Sequence, residues 1–192
     1  MMELFKFENE CWIERSRLPD SLEIDFEKLW SLHPEEYGHV IMQGKTISTP
    51  RWQQNYMKTY RFAGLAHESV PLPPLLQPLL DWVNDQNIYS FNQVLVNWYQ
   101  NGHHYIGAHS DNTWQLEHGS PIVSISLGAD RVFRIRDKQN KTIIKNINLT
   151  DRTCVIMGGR MQEYYTHEIP KITGNKGANI GRRINITFRV FK

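Results

Sequence analysis

Six short segments rich in β-branched and aromatic residues follow one another closely in the second half of the chain, and they limit the folds open to it. The segments are residues 91–99, 122–127, 132–136, 142–149, 153–157 and 184–191. Turn-forming residues separate them, among them Asn101-Gly102, Gly119-Ser120-Pro121 and Gly158-Gly159. Closely spaced strands with tight turns predict an antiparallel sandwich or jelly roll.

Two helices are predicted ahead of these strands. Residues 20–33 place Leu22, Phe26, Leu29 and Trp30 on one face, and residues 72–83 carry a second apolar stripe. Pro78 lies inside the second stripe, where it removes a backbone donor and predicts a kink. The predicted class is therefore α+β, with N-terminal helices packed on one side of an antiparallel jelly roll.

Length and composition fit a single domain, residues 1–192, with a substantial core. No apolar run approaches the ~18 residues that a membrane span needs. The first residues are too acidic for a secretory signal, and two cysteines, Cys11 and Cys154, offer no disulfide framework. We therefore expect a soluble intracellular protein, in the nucleus or the cytoplasm, with no membrane contact. Nothing in the sequence indicates a coiled coil or an obligate dimer, so a monomer is expected.

Charge is distributed unevenly along the chain. Residues 1–129 carry 8 Lys and Arg against 15 Asp and Glu, whereas residues 130–192 carry 14 against 5. The basic part indicates either a surface that faces a polyanion or a solvated face with alternating charges, and charge alone does not choose between them.

One histidine and one carboxylate lie two residues apart, at His109 and Asp111, and a second histidine follows at His167. Residues i and i+2 of a strand point to the same face, so the first two side chains are expected to project together. Two imidazoles and a carboxylate with open positions are the ligand set of non-haem Fe(II). On its own the His-x-Asp pair is a weak signal that occurs by chance in many chains, and a surface turn with a hydrogen-bonded histidine is the commoner interpretation.

The last predicted strand carries Arg183, Asn185, Thr187 and Arg189 on one face. A guanidinium matches a carboxylate in bidentate fashion, so two arginines suit the two ends of a dicarboxylate. Taken alone, the strand also fits an edge strand with its polar face in water. Asn97 and Tyr99, again at i and i+2, add an amide and a phenol.

Together these motifs resemble the AlkB family of iron- and 2-oxoglutarate-dependent nucleic-acid dealkylases, over residues 50–191. The matching motifs, in order, are Asn97-Trp98-Tyr99, His109-Ser110-Asp111, the segment 120–128, Tyr165-Thr166-His167 and Arg183-x-Asn185-x-Thr187-x-Arg189. The resemblance implies a double-stranded β-helix (jelly roll), with residues 1–49 as an N-terminal extension carrying a helix and a nucleotide-facing loop and residues 50–192 as the catalytic core.

The resemblance also implies roles for single residues. His109, Asp111 and His167 are expected to bind Fe(II). The expected ligands of 2-oxoglutarate are Asn97, Tyr99, Arg183, Asn185, Thr187 and Arg189, with Arg183 and Arg189 on its two carboxylates. Tyr60 and Phe62 match the family's base-pocket strand, although ordinary core aromatics would fit that segment too.

The implied activity is oxidative demethylation of N-alkylated bases in DNA or RNA. It consumes O2, converts 2-oxoglutarate to succinate and releases formaldehyde. Two alternatives stay open from the sequence: an Fe(II)/2-oxoglutarate hydroxylase of a protein side chain or small molecule, and a jelly-roll binding module without turnover.

The chain departs from the family at two places. Where members that repair cationic bases carry an acid two positions after the iron-binding Asp, this chain has Thr113, which we expect to contact the base by hydrogen bonding only. The loop 41–45 offers Met42 as a wedge, with Gln43 where duplex-acting members have an aromatic residue. Single-stranded DNA or RNA is therefore the favoured substrate, with a duplex possible.

Overall fold

A computed structural model describes residues 2–192 of the protein, apart from the side chain of Met42. Its strands, numbered along the chain, are β1 (Glu3–Lys6), β2 (Trp12–Arg17), β3 (His39–Met42), β4 (Lys45–Ser48), β5 (Trp52–Tyr56), β6 (Tyr60–Phe62), β7 (Leu65–His67), β8 (Ser69–Val70), β9 (Gln93–Tyr99), β10 (Ile106–His109), β11 (Ile122–Gly128), β12 (Arg131–Asp137), β13 (Ile143–Leu149), β14 (Thr153–Gly158), β15 (Tyr165–Ile169) and β16 (Arg183–Arg189). The helices are α1 (Phe26–Trp30), α2 (Gln77–Asp85), α3 (Met161–Tyr164) and α4 (Gly174–Ala178), and a 3-10 turn at Pro74–Leu76 leads into α2.

Two sheets carry the fold. The larger sheet has the strand order β1-β2-β14-β11-β16-β9-β5-β8, and the smaller has β10-β15-β12-β13. Their strand pairs are antiparallel except for β5 and β8. The hairpins β3–β4 and β6–β7 form two further two-stranded sheets, joined to each other where the Ile41 N–H donates to the Ala63 carbonyl. The predicted jelly-roll class is confirmed.

Alternating side chains divide the core into two layers. Along β16, Ile184, Ile186 and Phe188 face the outer layer, which also holds the apolar side chains of α1 and α2. The inner layer lies between the sheets and combines Leu95 of the larger sheet with Ile135 of the smaller one, among others. The polar face of β16 is therefore turned into the space between the two sheets.

The predicted helices are shorter or shifted. Only Phe26–Trp30 of the segment 20–33 is helical, because the Asp25 side chain caps the helix by accepting from the Lys28 N–H and so fixes its start late in the segment. Pro78 does not kink the second helix. It lies in the first turn of α2, where a missing N–H costs no hydrogen bond.

The first seventeen residues contain strands that the sequence did not predict. β2 pairs with β14 along its whole length, from Trp12 opposite Gly158 to Arg17 opposite Thr153, and β1 pairs with β2 at the sheet edge. Ile13 of β2 is fully buried in the inner layer. The N-terminal segment is thus hydrogen-bonded into the larger sheet.

Candidate active site

The three predicted metal ligands meet between the sheets at the end of β10. His109 closes β10 and lies directly opposite His167 of the neighbouring β15. Asp111 follows just past the end of β10, and its backbone N–H is held by the Gln162 side chain. The prediction that His109 and Asp111 lie in one strand is therefore not met, because β10 ends at His109, yet the side chains of the two residues still converge.

The donor atoms of these residues form a tight cluster. One ligand atom from each of His109, Asp111 and His167 lies within 4.8 Å of the others. The Asp111 Oδ1 atom is 3.6 Å from His109 Nε2 and 3.7 Å from His167 Nε2. The His109 Nδ1–H donates to the Gly107 carbonyl at 2.8 Å, which leaves its Nε2 lone pair free. Two imidazole nitrogens and one carboxylate oxygen converging in this way fit Fe(II).

Arg189 holds the carboxylate of Asp111 in place. Its Nε and Nη2 atoms lie 2.9 and 2.7 Å from Asp111 Oδ2, and its Nη1 donates to Gln93. Burial alone would raise the pKa of Asp111, but the charge of Arg189 and the two neighbouring imidazoles outweigh it and hold that pKa far below its usual range. Asp111 is therefore ionised, and its Oδ1 atom faces the two imidazoles.

His167 is neutral before any ligand arrives. Burial, together with the nearby His109, lowers the pKa of His167 to about 3, although Asp111 opposes this shift. A neutral imidazole is the form that binds a metal ion. No proton has to leave His167 when an ion enters near pH 7.

Arg183 is fully buried and contacts Tyr99 and Asn185, two residues that line the cavity of the site. Its Nη2 donates to Ser126 Oγ at 2.6 Å and to Asn185 Oδ1 at 2.8 Å, and its guanidinium packs on the Tyr99 ring at 4.9 Å. Its Nε and Nη1 atoms are buried without a hydrogen-bond partner among the described residues. A buried cation with unpaired donors is costly unless an anion completes it. This arrangement fits one carboxylate of 2-oxoglutarate.

The other predicted 2-oxoglutarate ligands line the cavity of the site, whereas Arg183 lies behind its wall and does not line it. Asn97, Tyr99, Asn185 and Thr187 line one cavity of about 670 Å3, together with Arg189 and the three candidate iron ligands. In the structure the Arg189 guanidinium is hydrogen-bonded to the Asp111 carboxylate. Its contact with 2-oxoglutarate therefore stays a prediction.

The predicted base-contacting residues differ in their placement. Tyr60 and Phe62 both line the cavity, with ring centroids 4.8 Å apart, and the Tyr60 hydroxyl accepts from the Asn112 N–H. Thr113 is exposed and does not line the cavity. Met42 lies outside the described side chains, so its suggested role as a wedge stays a prediction, and the tip of its hairpin is Gln43-Gly44, both at positive φ.

Two residues of the site were missed from the sequence. Arg51 is buried in the cavity wall, where its Nε donates to Asn97 Oδ1 at 2.7 Å. Ser126 accepts from Arg183, and its position in the apolar run 122–128 is the signal that could have revealed it. Arg51 carries no such local signal, because the contacts that place it at the site are made with the distant residues Asn97 and Tyr105.

Part of the basic charge serves the fold. Arg131 is buried and donates to the carbonyls of Asn101, His104 and Pro170. Glu168 accepts from both Arg134 and Arg136, at 3.4 and 2.8 Å. These cations explain part of the charge asymmetry without a polyanion.

Comparisons with known proteins agree with this geometry. The family model described as "2OG-Fe(II) oxygenase superfamily" matches residues 23–189. The human protein named "DNA oxidative demethylase ALKBH2" is 33% identical over 162 residues, which cover 79% of this chain and 60% of that protein. The bovine "Alpha-ketoglutarate-dependent dioxygenase alkB homolog 3" is 29% identical over 174 residues, which cover 85% of this chain and 59% of that protein. The chain thus spans about 60% of the length of these curated relatives.

A solved structure gives the same fold. The structure of OsALKBH1 superposes with a TM-score of 0.61 at 19% identity, covering 98% of this chain and all of that one. Among the described residues, no helix has the length and apolar character to cross a membrane. Sequence match, shared fold and assembled ligand cluster agree, and the chain belongs to the 2OG-Fe(II) oxygenase superfamily and, within it, to the AlkB family.

Proposed function

We propose that this chain is an Fe(II)/2-oxoglutarate-dependent dioxygenase that removes methyl groups from N-alkylated bases in DNA or RNA. The observation that carries the proposal is that the His109–Asp111–His167 cluster shares its cavity with the aromatic side chains Tyr60 and Phe62. A flat, apolar wall beside a metal site suits a planar base that has left its stack. The relatives whose names describe DNA oxidative demethylation support the same substrate class.

His109, Asp111 and His167 would hold the iron, and Arg183 would hold a carboxylate of 2-oxoglutarate with Asn97, Tyr99, Asn185, Thr187 and Arg189 around it. When bound, the metal, 2-oxoglutarate and O2 supply the oxidation that turns the N-methyl group into a hydroxymethyl group, which leaves as formaldehyde while succinate and carbon dioxide form.

The residues of this chain contribute position and a dry pocket. The Arg189 guanidinium fixes the orientation of the Asp111 carboxylate through two nitrogen contacts on one oxygen. Burial raises the pKa of Tyr60 to about 12, with the Asp111 charge adding to it, so the phenol beside the site stays protonated. Apolar side chains such as Leu95 and Phe133 border the cavity and limit access of water to it.

The substrate is a nucleic acid, with single-stranded DNA or RNA favoured over a duplex. Tyr60 and Phe62 would contact the base, and Thr113 would add at most a hydrogen bond. The protein would act as a soluble intracellular monomer in the nucleus or the cytoplasm, without membrane contact. Residues 50–192 would form the catalytic core, with residues 1–49 as an N-terminal extension.

The proposal is tested by incubating the protein with Fe(II), ascorbate, 2-oxoglutarate and single-stranded oligonucleotides that contain 1-methyladenine or 3-methylcytosine. We expect formaldehyde and restored base in equal amounts, with succinate formation stimulated by the oligonucleotide. Succinate without any stimulation would contradict a nucleic-acid substrate and keep an oxygenase that acts on another class of molecule.

A ligand variant gives the matched control for this experiment. His109→Ala removes one of the three donor atoms, so iron binding and turnover should be lost together. Activity retained in His109→Ala would mean that the metal site lies elsewhere.

A further inference from the structure

Trp114 stands out among the tryptophans of this chain because its side chain is 71% exposed. The other five are buried or half-buried. An indole in water is costly in apolar surface, and an exposed tryptophan is a common contact residue of binding surfaces. Trp114 is not among the residues proposed to hold iron, 2-oxoglutarate or the target base.

The segment that carries Trp114 is tied to the cavity wall. The Trp114 N–H donates to Asn112 Oδ1 at 3.0 Å, and Asn112 Nδ2 donates to the Arg61 carbonyl at 2.8 Å. The Asn112 N–H donates to the hydroxyl of Tyr60. Exposure of the indole is therefore a property of a fixed turn.

A second set of hydrogen bonds holds the far side of the same turn. Gln115 accepts from the Arg61 N–H at 2.7 Å and donates to the Thr59 carbonyl at 2.9 Å. The Leu116 N–H donates to the Thr113 carbonyl at 3.1 Å. Trp114 is thus anchored on both sides to the strand β6 that carries Tyr60 and Phe62.

The distances suit a neighbouring nucleotide. Asn112 lines the cavity, and Trp114 is two residues further on, at most ~7.6 Å along the backbone. Successive bases of a strand are spaced ~3.4 Å apart when stacked. A base one or two steps from the target base therefore comes within reach of the indole.

The charge of Arg61, on the strand to which this turn is anchored, favours the same kind of partner. Arg61 is exposed, and among the described residues its guanidinium makes no ion pair and no hydrogen bond. It is joined through its backbone to both Asn112 and Gln115. An exposed aromatic ring and a free cation on adjoining segments are the combination that binds a single strand, with the ring on a base and the cation on the phosphates.

We propose that the indole of Trp114 stacks on a base that flanks the target base in a single-stranded substrate. This inference rests on the proposed function, and it adds the residue that favours single strands over mononucleotides and duplexes. In a duplex the flanking base already has both faces stacked, so its face is not free for the indole.

Turnover of substrates of different length tests the proposal. Trp114→Ala, Trp114→Phe and the control Leu4→Ala, which alters an exposed apolar residue of the edge strand β1, are compared on three substrates: a single-stranded 15-mer with one 1-methyladenine, the same 15-mer in a duplex, and 1-methyl-dAMP. We expect Trp114→Ala to lower kcat/KM on the single-stranded 15-mer by about tenfold, as for loss of one stacked base. Trp114→Phe should recover most of it, and kcat/KM on the duplex and on 1-methyl-dAMP should stay unchanged.

Two results would overturn the assignment. One is an unchanged kcat/KM of Trp114→Ala on the single-stranded 15-mer. The other is an equal loss on the 15-mer and on 1-methyl-dAMP, since the mononucleotide has no flanking base. If the wild-type protein demethylates none of the three substrates, the proposed function fails.

Fluorescence separates stacking from turnover. Titration of the wild-type protein with an unmethylated dT15 should quench tryptophan emission and shield it from acrylamide, because a stacked base covers the most exposed indole. Trp114→Phe should lose that change, and Leu4→Ala should keep it. The same quenching in Trp114→Phe, or none in the wild type, would show that the indole does not stack on the strand.

Discussion

At the scale of single residues, three buried cations near the site have no carboxylate partner. Arg51, Arg131 and Arg183 are buried and form no ion pair with the described residues, whereas Arg189 is paired with Asp111. Burial lowers the pKa of Arg183 and of Arg51, which shows how strongly the interior disfavours their charge. Of the three, Arg183 is the one with two unpaired nitrogens, which an anion would satisfy.

The neighbouring arginines Arg183 and Arg182 allow a matched test of that anion site. Arg182 is partly exposed and pairs with Glu27, so Arg182→Gln should leave ligand binding intact. With Mn(II) present and 2-oxoglutarate at about a hundred times its Kd, the wild-type Tm should rise by ~5–10 °C. Arg183→Gln should lose most of this rise in a thermal melt. An equal rise in both variants would contradict the assignment of Arg183.

The buried thiol of Cys154 gives a pH dependence that does not involve the site. Burial raises its pKa to about 12, whereas an unfolded thiol has its ordinary value of 9.0. A raised folded pKa means that its contribution to stability is complete below pH 9 and is lost as the pH rises toward 12. When the pH is raised from 7.5 to 10.5, ionisation of this thiol in the unfolded state should lower the free energy of unfolding by about 2 kcal/mol. Urea unfolding at the two pH values should show a smaller loss in Cys154→Ala, and equal losses would contradict the buried thiol.

At the scale of elements, strand register assembles the metal cluster. His109 and His167 are directly opposite each other in the β10–β15 pair, and Ile135 of β12 is opposite His167 on its other side. A shift of one residue would turn His167 away from the cavity, because strand side chains alternate. The pairing is irregular between Ile106 and His109, just before the chain leaves β10 for Asp111.

Substitution of Gly128, at the end of β11, would test how tightly α1 is packed on the larger sheet. Gly128 has φ +87°, and a Cβ added there would lie 2.5 Å from the Arg182 carbonyl and 2.7 Å from the Phe26 ring of α1. Gly128→Ala should therefore lower the unfolding free energy by about 3 kcal/mol, from backbone strain plus the close contacts.

Gly174 provides the control for strain alone, since it has φ +63° and nothing within 4 Å of the added Cβ. Gly174→Ala should cost about 1–2 kcal/mol. Chemical denaturation of both variants measures the difference. Equal losses would mean that the contacts of Gly128 with Arg182 and Phe26 are not tight.

At the scale of the whole molecule, the N-terminal segment extends the larger sheet beyond β14. The N-terminal β2 covers the edge of β14, and Ile13 and Cys11 enter the inner layer of the core. Removal of residues 2–17 would expose a paired strand edge and apolar core together. We expect this deletion to abolish the cooperative thermal transition and to cause aggregation, as seen by circular dichroism and size-exclusion chromatography. Deletion of residues 2–6 alone, which removes only β1, should keep the transition, and a folded protein without residues 2–17 would contradict this account.

Although β10 and β15 were not among the predicted segments, local patterns in the sequence were enough to predict the other six strands after residue 90. They also identified the ligand motif and the arginine face of β16, because alternation and short spacing act within one element. The six predicted strands all appear, with ends that differ by at most two residues. Helix bounds were less accurate, since a single capping residue, Asp25, decided where α1 begins.

Long-range contacts decided the rest. No local pattern predicted that residues 1–17 would join the larger sheet. Nor did one predict the hydrogen bond from Arg51 to Asn97, or the pairing of Arg189 with Asp111, 78 positions away in the chain. The sequence by itself therefore determined which chemical groups are present and on which face of a strand they lie. The tertiary structure decided which of them meet, because register, burial and the pairing of buried charges depend on strands that are far apart in the chain.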